Sequence, residues 1–376
     1  MDTPKKTSPI TVVYGNTPDR MTELLLSTVS LASRIPQGAS IGIKPNLVVA
    51  RPASQGATTT PEIVEGIIRH LQDHGHNRVS VLESAWVGDS TKRAYRKCGY
   101  ENISRKYNVP LIDLKDDDSV TIQAENRSYD ICAAMQGIDF LINVPVLKGH
   151  CQTVMTGALK NLKGCIPDSE KRRYHSLGLH RPIADLNRII RQDWIIMDAL
   201  CGDLSFEEGG DPSTMHRIIS AEDPVLLDSY CCTLLGFTPR QVPYIQKAAD
   251  LGVGKLYDRD EVLELNNPDD SYHIPRMHRS FEHLVDQRDA CSACYGALVR
   301  ALMETDDQLF EQLQQLSRKL DAPAAAVGQA FDSGTWPFSR TLGIGSCTSS
   351  ADMFVKGCPP TAEMIKKGIR DFLGQQ

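Results

Sequence analysis

Residues 140–150 read FLINVPVLKGH, an apolar run that ends in a lysine, a glycine and a histidine. A short continuous run of this kind predicts a strand that is buried on both faces of a sheet. The pattern that follows predicts a helix over about 153–162. The segment therefore predicts a strand-to-helix unit, the building block of an α/β protein.

The chain on either side of this run alternates in the same way. A threonine, a proline and a glutamate at 60–62 are typical of a helix start, and Gly75 marks its end. The alternation predicts a mostly parallel sheet with helices on both faces. The predicted strands are 10–14, 40–43, 79–82, 110–114 and 194–197, and the other predicted helices are about 21–32 and 181–190.

The pattern changes after Asp223 and Pro224, where helices are predicted over 225–235 and 239–251. A polar stretch over 266–279 predicts a boundary between an α/β domain at 1–265 and a smaller α/β module at 280–376. Within the module we expect helices at about 293–303, 307–320 and 361–373, and a strand at 341–344.

The composition excludes several classes of protein. Of 376 residues, 41% are hydrophobic and 23% are charged, which is ordinary for a chain that buries a core. The net charge of −6 argues against general binding of nucleic acid. No uncharged apolar run approaches the ~18 residues of a membrane span, and the first residues lack a secretory signal. We therefore expect a soluble, cytoplasmic protein with neither a nucleic-acid nor a membrane partner.

One basic segment stands out against this acidic background. Residues 141–181 contain seven lysines and arginines but only two acidic residues, Asp168 and Glu170. This segment favours an anionic small molecule as ligand.

Ligands of open α/β sheets bind beyond the carboxyl ends of the strands. Those positions hold several polar residues, and Lys148 and His150 also precede the predicted helix, whose free N–H groups would attract an anion. The alternative interpretation is that strand ends simply reach solvent, where polar residues are common. The predicted cleft residues are Lys148, His150, Lys160 and Lys163 for catalysis, and Lys44, Asn46 and Asp198 for substrate binding.

Several of these segments resemble the domain-of-unknown-function family numbered 362, over about residues 10–255. The matching strings are IKPNL at 43–47, VLKGH at 146–150, TGALKNLKG at 156–164, IMDA at 196–199 and AEDPVLLD at 221–228. The family name specifies no reaction, so the resemblance implies a fold. An acidic loop with Glu207 and Glu208 follows Asp198, and it either covers a cleft or merely connects two elements.

The last four of eleven cysteines form a separate pattern. Cys291 and Cys294 are three positions apart, Cys347 follows a predicted strand, and Cys358 precedes two prolines. An odd number of cysteines without a secretion signal argues against a disulfide framework. Four cysteines so arranged predict an iron–sulfur cluster or a structural zinc.

The strings GSC at 345–347 and GCPPTAE at 357–363 resemble the cluster-binding segments of the small subunits of complex I and nickel–iron hydrogenases. That resemblance covers about 287–373. It implies one 4Fe–4S cluster held by Cys291, Cys294, Cys347 and Cys358.

The sequence thus suggests an iron–sulfur oxidoreductase or electron-transfer protein that acts on an anionic small molecule. No nucleotide or flavin motif is visible, so electrons would come from an external carrier such as a ferredoxin. The alternative is a non-redox lyase, isomerase or binding protein whose cluster or zinc is structural.

Overall fold

A computed structural model describes the chain over residues 10–124, 127–150, 152–204, 207–209, 212–259, 262–269, 272, 284–290, 292–331 and 336–374. The chain divides into two compact units. The first comprises Met1–Gly149 and Thr153–Arg276, and the second comprises His150–Gln152 and Met277–Gln376.

The first unit is built on a sheet of eight strands in the described chain. The order across this sheet is β12-β1-β11-β10-β7-β2-β3-β4, and every pair is parallel except the two that involve β11. The predicted α/β class with a mostly parallel sheet is confirmed. The strands are β1 (Ile10–Tyr14), β2 (Ile41–Pro45), β3 (Val79–Glu83), β4 (Leu111–Asp113), β7 (Phe140–Val144), β10 (Trp194–Asp203), β11 (Pro212–Ala221) and β12 (Val262–Glu264).

The run at 140–150 supplies the middle of this sheet. Strand β7 lies between β2 and β10, and all its residues are buried, as are all those of β2. Side chains on both faces of these strands are therefore covered by other layers of the protein, which explains the continuous apolar pattern. Since β2 and β7 are parallel and in register from Ile41 with Phe140, their carboxyl ends lie side by side.

The covering helices in the first unit are mostly short. Helix α3 begins with a proline at its first turn, as the sequence predicts. The helices are α1 (Pro18–Val29), α2 (Leu31–Arg34), α3 (Pro61–Asp73), α4 (Thr91–Lys97), α5 (Tyr100–Tyr107), α6 (Ala158–Asn161), α7 (Asp168–Ser176), α8 (His180–Ile189), α9 (Pro224–Leu234) and α10 (Pro243–Asp250).

Two details of the predicted strand-to-helix unit are wrong. After β7 the chain forms two short paired strands, β8 (Lys148–His150) and β9 (Val154–Thr156), and α6 starts only at residue 158. Valine and threonine at 153–156 favour extended backbone, which delays the helix. Lys148 and His150 therefore lie in a strand, and the expectation that they precede a helix N-terminus fails.

Two further strands, β5 (Ser119–Ala124) and β6 (Arg127–Cys132), form an antiparallel pair that the sequence did not indicate. The long strand β11 was also missed. Its outer half is partly exposed and its inner half is buried, so neither a continuous apolar run nor a strict alternation marks it.

The second unit has its own sheet and core. Its four described strands are all parallel, in the order β13-β14-β15-β16. Apolar residues such as Leu298, Ile344 and Ile365 fill the core between this sheet and the helices. The elements are β13 (Val285–Gln287), α11 (Ser292–Glu304), α12 (Asp307–Leu320), β14 (Ala325–Val327), β15 (Leu342–Ile344), β16 (Phe354–Val355) and α13 (Ala362–Gly374).

Candidate functional site

Helix α6 carries Lys160, and its position is set by an aspartate from another helix. The Asp228 carboxylate, on α9, accepts hydrogen bonds from the N–H groups of Ala158 (2.7 Å) and Leu159 (3.0 Å). A carboxylate at this place satisfies donors that a helix start leaves unpaired. Burial raises the pKa of Asp228 to about 7. The buried Asp228 carboxylate therefore caps the start of α6.

Three buried amides connect α6 to the ends of the central strands. The Asn161 side chain donates to Asn143 Oδ1 (2.6 Å), and the Asn46 side chain donates to Asn161 Oδ1 (2.8 Å). Asn46 in turn accepts a hydrogen bond from Lys148 Nζ (3.1 Å). The structure thus joins two predicted residues, Lys148 on β8 and Asn46 directly after β2, to Asn161 of α6 in one network.

Lys148 is almost completely buried, with 1% of its surface exposed. Its ammonium donates to Asn46 Oδ1, to the carbonyl of Ala57 (2.6 Å) and to the carbonyl of Glu207 (2.8 Å). Burial is the main cause that lowers the pKa of Lys148 to about 7. The lysine therefore titrates near neutral pH, in the range that suits proton transfer.

Lys160 pairs with the acidic loop. Its ammonium lies 3.0 Å from Glu207 Oε2, and both side chains are largely buried. Burial, followed by repulsion from Lys160, lowers the pKa of Lys163 to about 7, while attraction to Glu207 opposes this shift. The same surroundings lower the pKa of His175 to about 4, again mainly through burial. We refer to Lys148, Lys160 and Lys163 as the lysine cluster.

Lys44 has a different environment. Its buried ammonium forms an ion pair with Glu83 Oε2 (2.8 Å) and donates to its neighbour's carbonyl, Pro45 O (2.7 Å). A Cβ at Gly164 would lie 2.1 Å from Glu83 Oε1, so the absence of a side chain at Gly164 makes room for this ion pair. These contacts are an ion pair and a hydrogen bond within the protein, and the substrate-binding role of Lys44 stays a prediction.

Asp198 also supports the scaffold. Its carboxylate accepts hydrogen bonds from the N–H groups of Thr60 (2.7 Å) and Leu200 (3.0 Å). Thr60 is the residue before α3, so Asp198 fixes the start of that helix to strand β10. Burial raises the pKa of Asp198.

His150 belongs to the second compact unit, together with Gln152. Its Nδ1 accepts a hydrogen bond from the backbone N–H of Gln152 (3.0 Å). The side-chain amide of Gln152 donates to the carbonyl of Ala290 (2.8 Å), the residue before Cys291. His150 and Lys148 are therefore assigned to different units, although only Gly149 lies between them in the sequence.

The second unit also contains the four cysteines of the sequence pattern. Cys291 lies outside the described residues. Cys294 is buried on α11, Cys347 is partly buried in a single turn of 3₁₀ helix after β15, and Cys358 is exposed. The described part of the pattern therefore spans three separate segments of one unit.

Backbone contacts tie these segments together. The N–H of Ser346 donates to the carbonyl of Gly357 (2.8 Å), which joins the residues that precede Cys347 and Cys358. A Cβ at Gly345 would lie 3.5 Å from Cys294 Sγ. Gly345 has a φ of +93°, a conformation that favours glycine.

The predicted donors are thiols, which are the ligands of iron–sulfur clusters and of structural zinc. Within the described residues, which include Cys294, Cys347 and Cys358, no three His, Cys, Asp or Glu side chains are gathered closely enough to hold a metal ion. The four-cysteine site therefore stays a prediction.

A separate cavity of about 430 Å³ lies in the first unit. Thr60, Cys98, Cys201 and His216 are among its lining residues, and none of the predicted cleft residues lines it. It adjoins an irregularity in the pairing of β10 with β11, where His216 has a positive φ.

The fold and the lysine cluster define an α/β protein with a buried cationic site near the ends of its central strands. The family model described as "Domain of unknown function (DUF362)" matches residues 41–233, which is half of the chain, and the chain belongs to this family. The resemblance of the sequence to this family is thereby confirmed over residues 41–233.

A thylakoid-associated protein of Synechocystis sp., sll1697, is 24% identical over 227 residues, which cover 57% of this chain and 69% of that protein. In the described residues, no helix has the length and apolar character needed to cross a membrane.

Two solved structures share part of the fold. The lactate racemase apoprotein of Thermoanaerobacterium thermosaccharolyticum matches with a TM-score of 0.38 and 12% identity, over 62% of this chain and 59% of that one. A protein of Thermotoga maritima matches with a TM-score of 0.35 and 12% identity, over 62% of this chain and 58% of that one. The match covers less than two thirds of either structure.

Proposed function

We propose that this chain is an iron–sulfur protein that transfers electrons to or from a small anion bound by the lysine cluster. The observation that carries the proposal is that the three described cysteine segments meet. The N–H of Ser346 donates to the carbonyl of Gly357, and a Cβ at Gly345 would lie 3.5 Å from Cys294 Sγ. Cys294 also packs in the core of the second unit, whereas a 4Fe–4S cluster of the predicted kind would use all four thiols as ligands.

The surroundings of the cysteines suit a cluster. Helix α13 begins four residues after Cys358, and the N-terminus of a helix carries a partial positive charge that favours a nearby thiolate. Gly345 has a φ of +93°, and a Cβ there would lie at ordinary contact distance from Cys294 Sγ (3.5 Å) and from the carbonyl oxygen of Gly357 (3.6 Å). A bound 4Fe–4S cluster would take up and release one electron at a time, and four thiolates would leave no iron open to substrate.

The experiment is to purify the protein anaerobically and measure iron and sulfide. About four irons and four sulfides per chain are expected. Cys358→Ala should lose most of both, whereas Cys232→Ala, at a buried cysteine of the first unit, should keep them. One zinc per chain without sulfide would refute the iron–sulfur proposal.

Electron transfer is tested by titrating the holoprotein with a low-potential reductant while recording its paramagnetic resonance signal. A cluster in use should be reduced above about −700 mV, the lower end of the known range. A cluster that stays oxidised to that limit would be structural. The electron donor we propose is an external carrier of the ferredoxin type.

A non-redox lyase or isomerase is the second candidate, and the buried Lys148 favours it. Lys148 and Lys163 both have a pKa of about 7, so either can exchange a proton at neutral pH. This function needs no change in the oxidation state of a cluster. Activity that survives complete oxidation of the protein would support the second candidate over the first.

A further inference from the structure

The acidic loop between β10 and β11 places a carboxylate inside the lysine cluster. Glu207 Oε2 lies 3.0 Å from Lys160 Nζ, and the exposed fractions of the two side chains are 13% and 8%. An ion pair on an open surface contributes little, but a pair this far from water must be well matched to be retained.

The Glu207 carboxylate serves more than one lysine. It favours the charged forms of Lys148 and Lys163, while Lys160 opposes them. Glu207 pairs with Lys160 and is the acidic group that most favours the charged forms of Lys148 and Lys163. Without an anion at this position, the repulsion among these cations would be less compensated.

The main chain of the loop is held separately from this carboxylate. Arg51 donates to the carbonyls of Glu208 (3.1 Å) and Gly209 (2.8 Å), and Lys148 donates to the carbonyl of Glu207. A Cβ at Gly209 would lie 2.3 Å from the carbonyl oxygen of Gln55, so the loop packs tightly on its neighbour. Displacement of the Glu207 carboxylate from Lys160 would leave these backbone contacts in place.

We infer that the Glu207 carboxylate occupies the position of a ligand carboxylate on Lys160, and that the ligand of the lysine cluster is a small carboxylic acid that displaces it. This inference rests on the proposed anion-binding function of the cluster. It assigns Glu207 as the residue that sets specificity, because only an anion that matches a carboxylate in size and charge can take its place.

The test uses acetate as the probe and compares Glu207→Ala with Glu208→Ala, which removes the same charge one residue away. The melting temperature and the calorimetric Kd are measured in acetate and in chloride at equal ionic strength. A tethered carboxylate competes at an effective concentration of roughly millimolar or more, so its removal should tighten acetate binding by about tenfold or more. Glu208→Ala should bind acetate like the unmodified protein.

Two further variants secure the result. Glu207→Gln keeps the side-chain shape and should show the same change if Glu207→Ala folds poorly. Adding Lys160→Met to Glu207→Ala should abolish the acetate effect, which locates the bound acetate at Lys160.

Three outcomes would overturn the inference. Equal acetate responses in the Glu207 and Glu208 variants would show that the ion pair between Glu207 and Lys160 is structural. Binding of inorganic phosphate but not acetate to Glu207→Ala would overturn the carboxylate class and leave the anion site intact. Failure of every variant to bind either anion, in protein with full iron content, would refute anion binding itself and leave the cluster proposal standing.

Discussion

Gly157 and Asp228 fit each other, because a Cβ at position 157 would lie 2.2 Å from Asp228 Oδ1. The missing side chain lets the carboxylate reach the N–H groups at the start of α6. Two separate strings of the family resemblance, TGALKNLKG and AEDPVLLD, are thus parts of one contact. Their shared role is to hold the helix that carries Lys160.

Asp228→Ala should leave two buried donors, at Ala158 and Leu159, without their acceptor. We expect a loss of about 2 kcal/mol in the free energy of unfolding, or more. Hydrogen exchange at these two amides should accelerate more than exchange in the strands of the sheet. Asp250→Ala, at an exposed position, is the control. Unchanged protection of both amides would show that Asp228 does not cap α6.

The order of elements in the first domain could be predicted from the sequence because continuous apolar runs such as 140–147 have one main explanation, a strand covered on both sides. The residues that contact the lysine cluster could not be predicted in this way. Glu207 is distant from Lys160 in sequence, and nothing in the acidic string shows which of its two glutamates turns inward. Only the paired strands β10 and β11 bring that loop to the cluster.

The predicted substrate residues illustrate the same limit. The sequence placed Lys44 and Asp198 directly after strands, but Lys44 lies within β2 and Asp198 within β10. Their partners are the buried Glu83 and the backbone of Thr60. A polar residue at a strand end is equally suited to holding the next element. The choice depends on tertiary neighbours that the local pattern does not encode.

Lys44→Met tests which of these roles is correct. Removal of one partner from a buried ion pair costs about 3–5 kcal/mol, because the other charge remains without compensation. We therefore expect a lower melting temperature in Lys44→Met, with acetate affinity in the Glu207→Ala background unchanged. Normal stability combined with lost anion binding would instead restore the substrate-binding role.

Gly345→Ala should lower the iron content of the second unit. The φ of +93° is strained for alanine, and the added Cβ would stand 3.5 Å from Cys294 Sγ, where the cluster is proposed to bind. The measurement is iron per folded chain after anaerobic reconstitution. Gly252→Ala, at a φ of +73° where a Cβ would meet nothing within 4 Å, is the control for backbone strain alone. Full iron content in Gly345→Ala would argue against a cluster at this position.

Lys148 should make stability depend on pH above neutrality. Its pKa falls from 10.5 to about 7 on folding, mainly because burial disfavours the charged form. Between these values the unfolded chain binds the proton and the folded chain does not, so this residue adds stability as the pH rises. The slope should approach about 1.4 kcal/mol per pH unit within that window. Below about pH 7 both states are protonated, and the contribution of Lys148 should become independent of pH.

The measurement is the free energy of unfolding of the first unit from pH 7 to 9, in the unmodified protein and in Lys148→Met. The difference between the two isolates Lys148 from other titrating groups, including Lys163, which should contribute a slope of the same sign. The unmodified protein should gain stability relative to the variant as the pH rises. A constant difference across the range would mean that Lys148 keeps an ordinary pKa, and that its three acceptors, Asn46, Ala57 and Glu207, compensate fully for its burial.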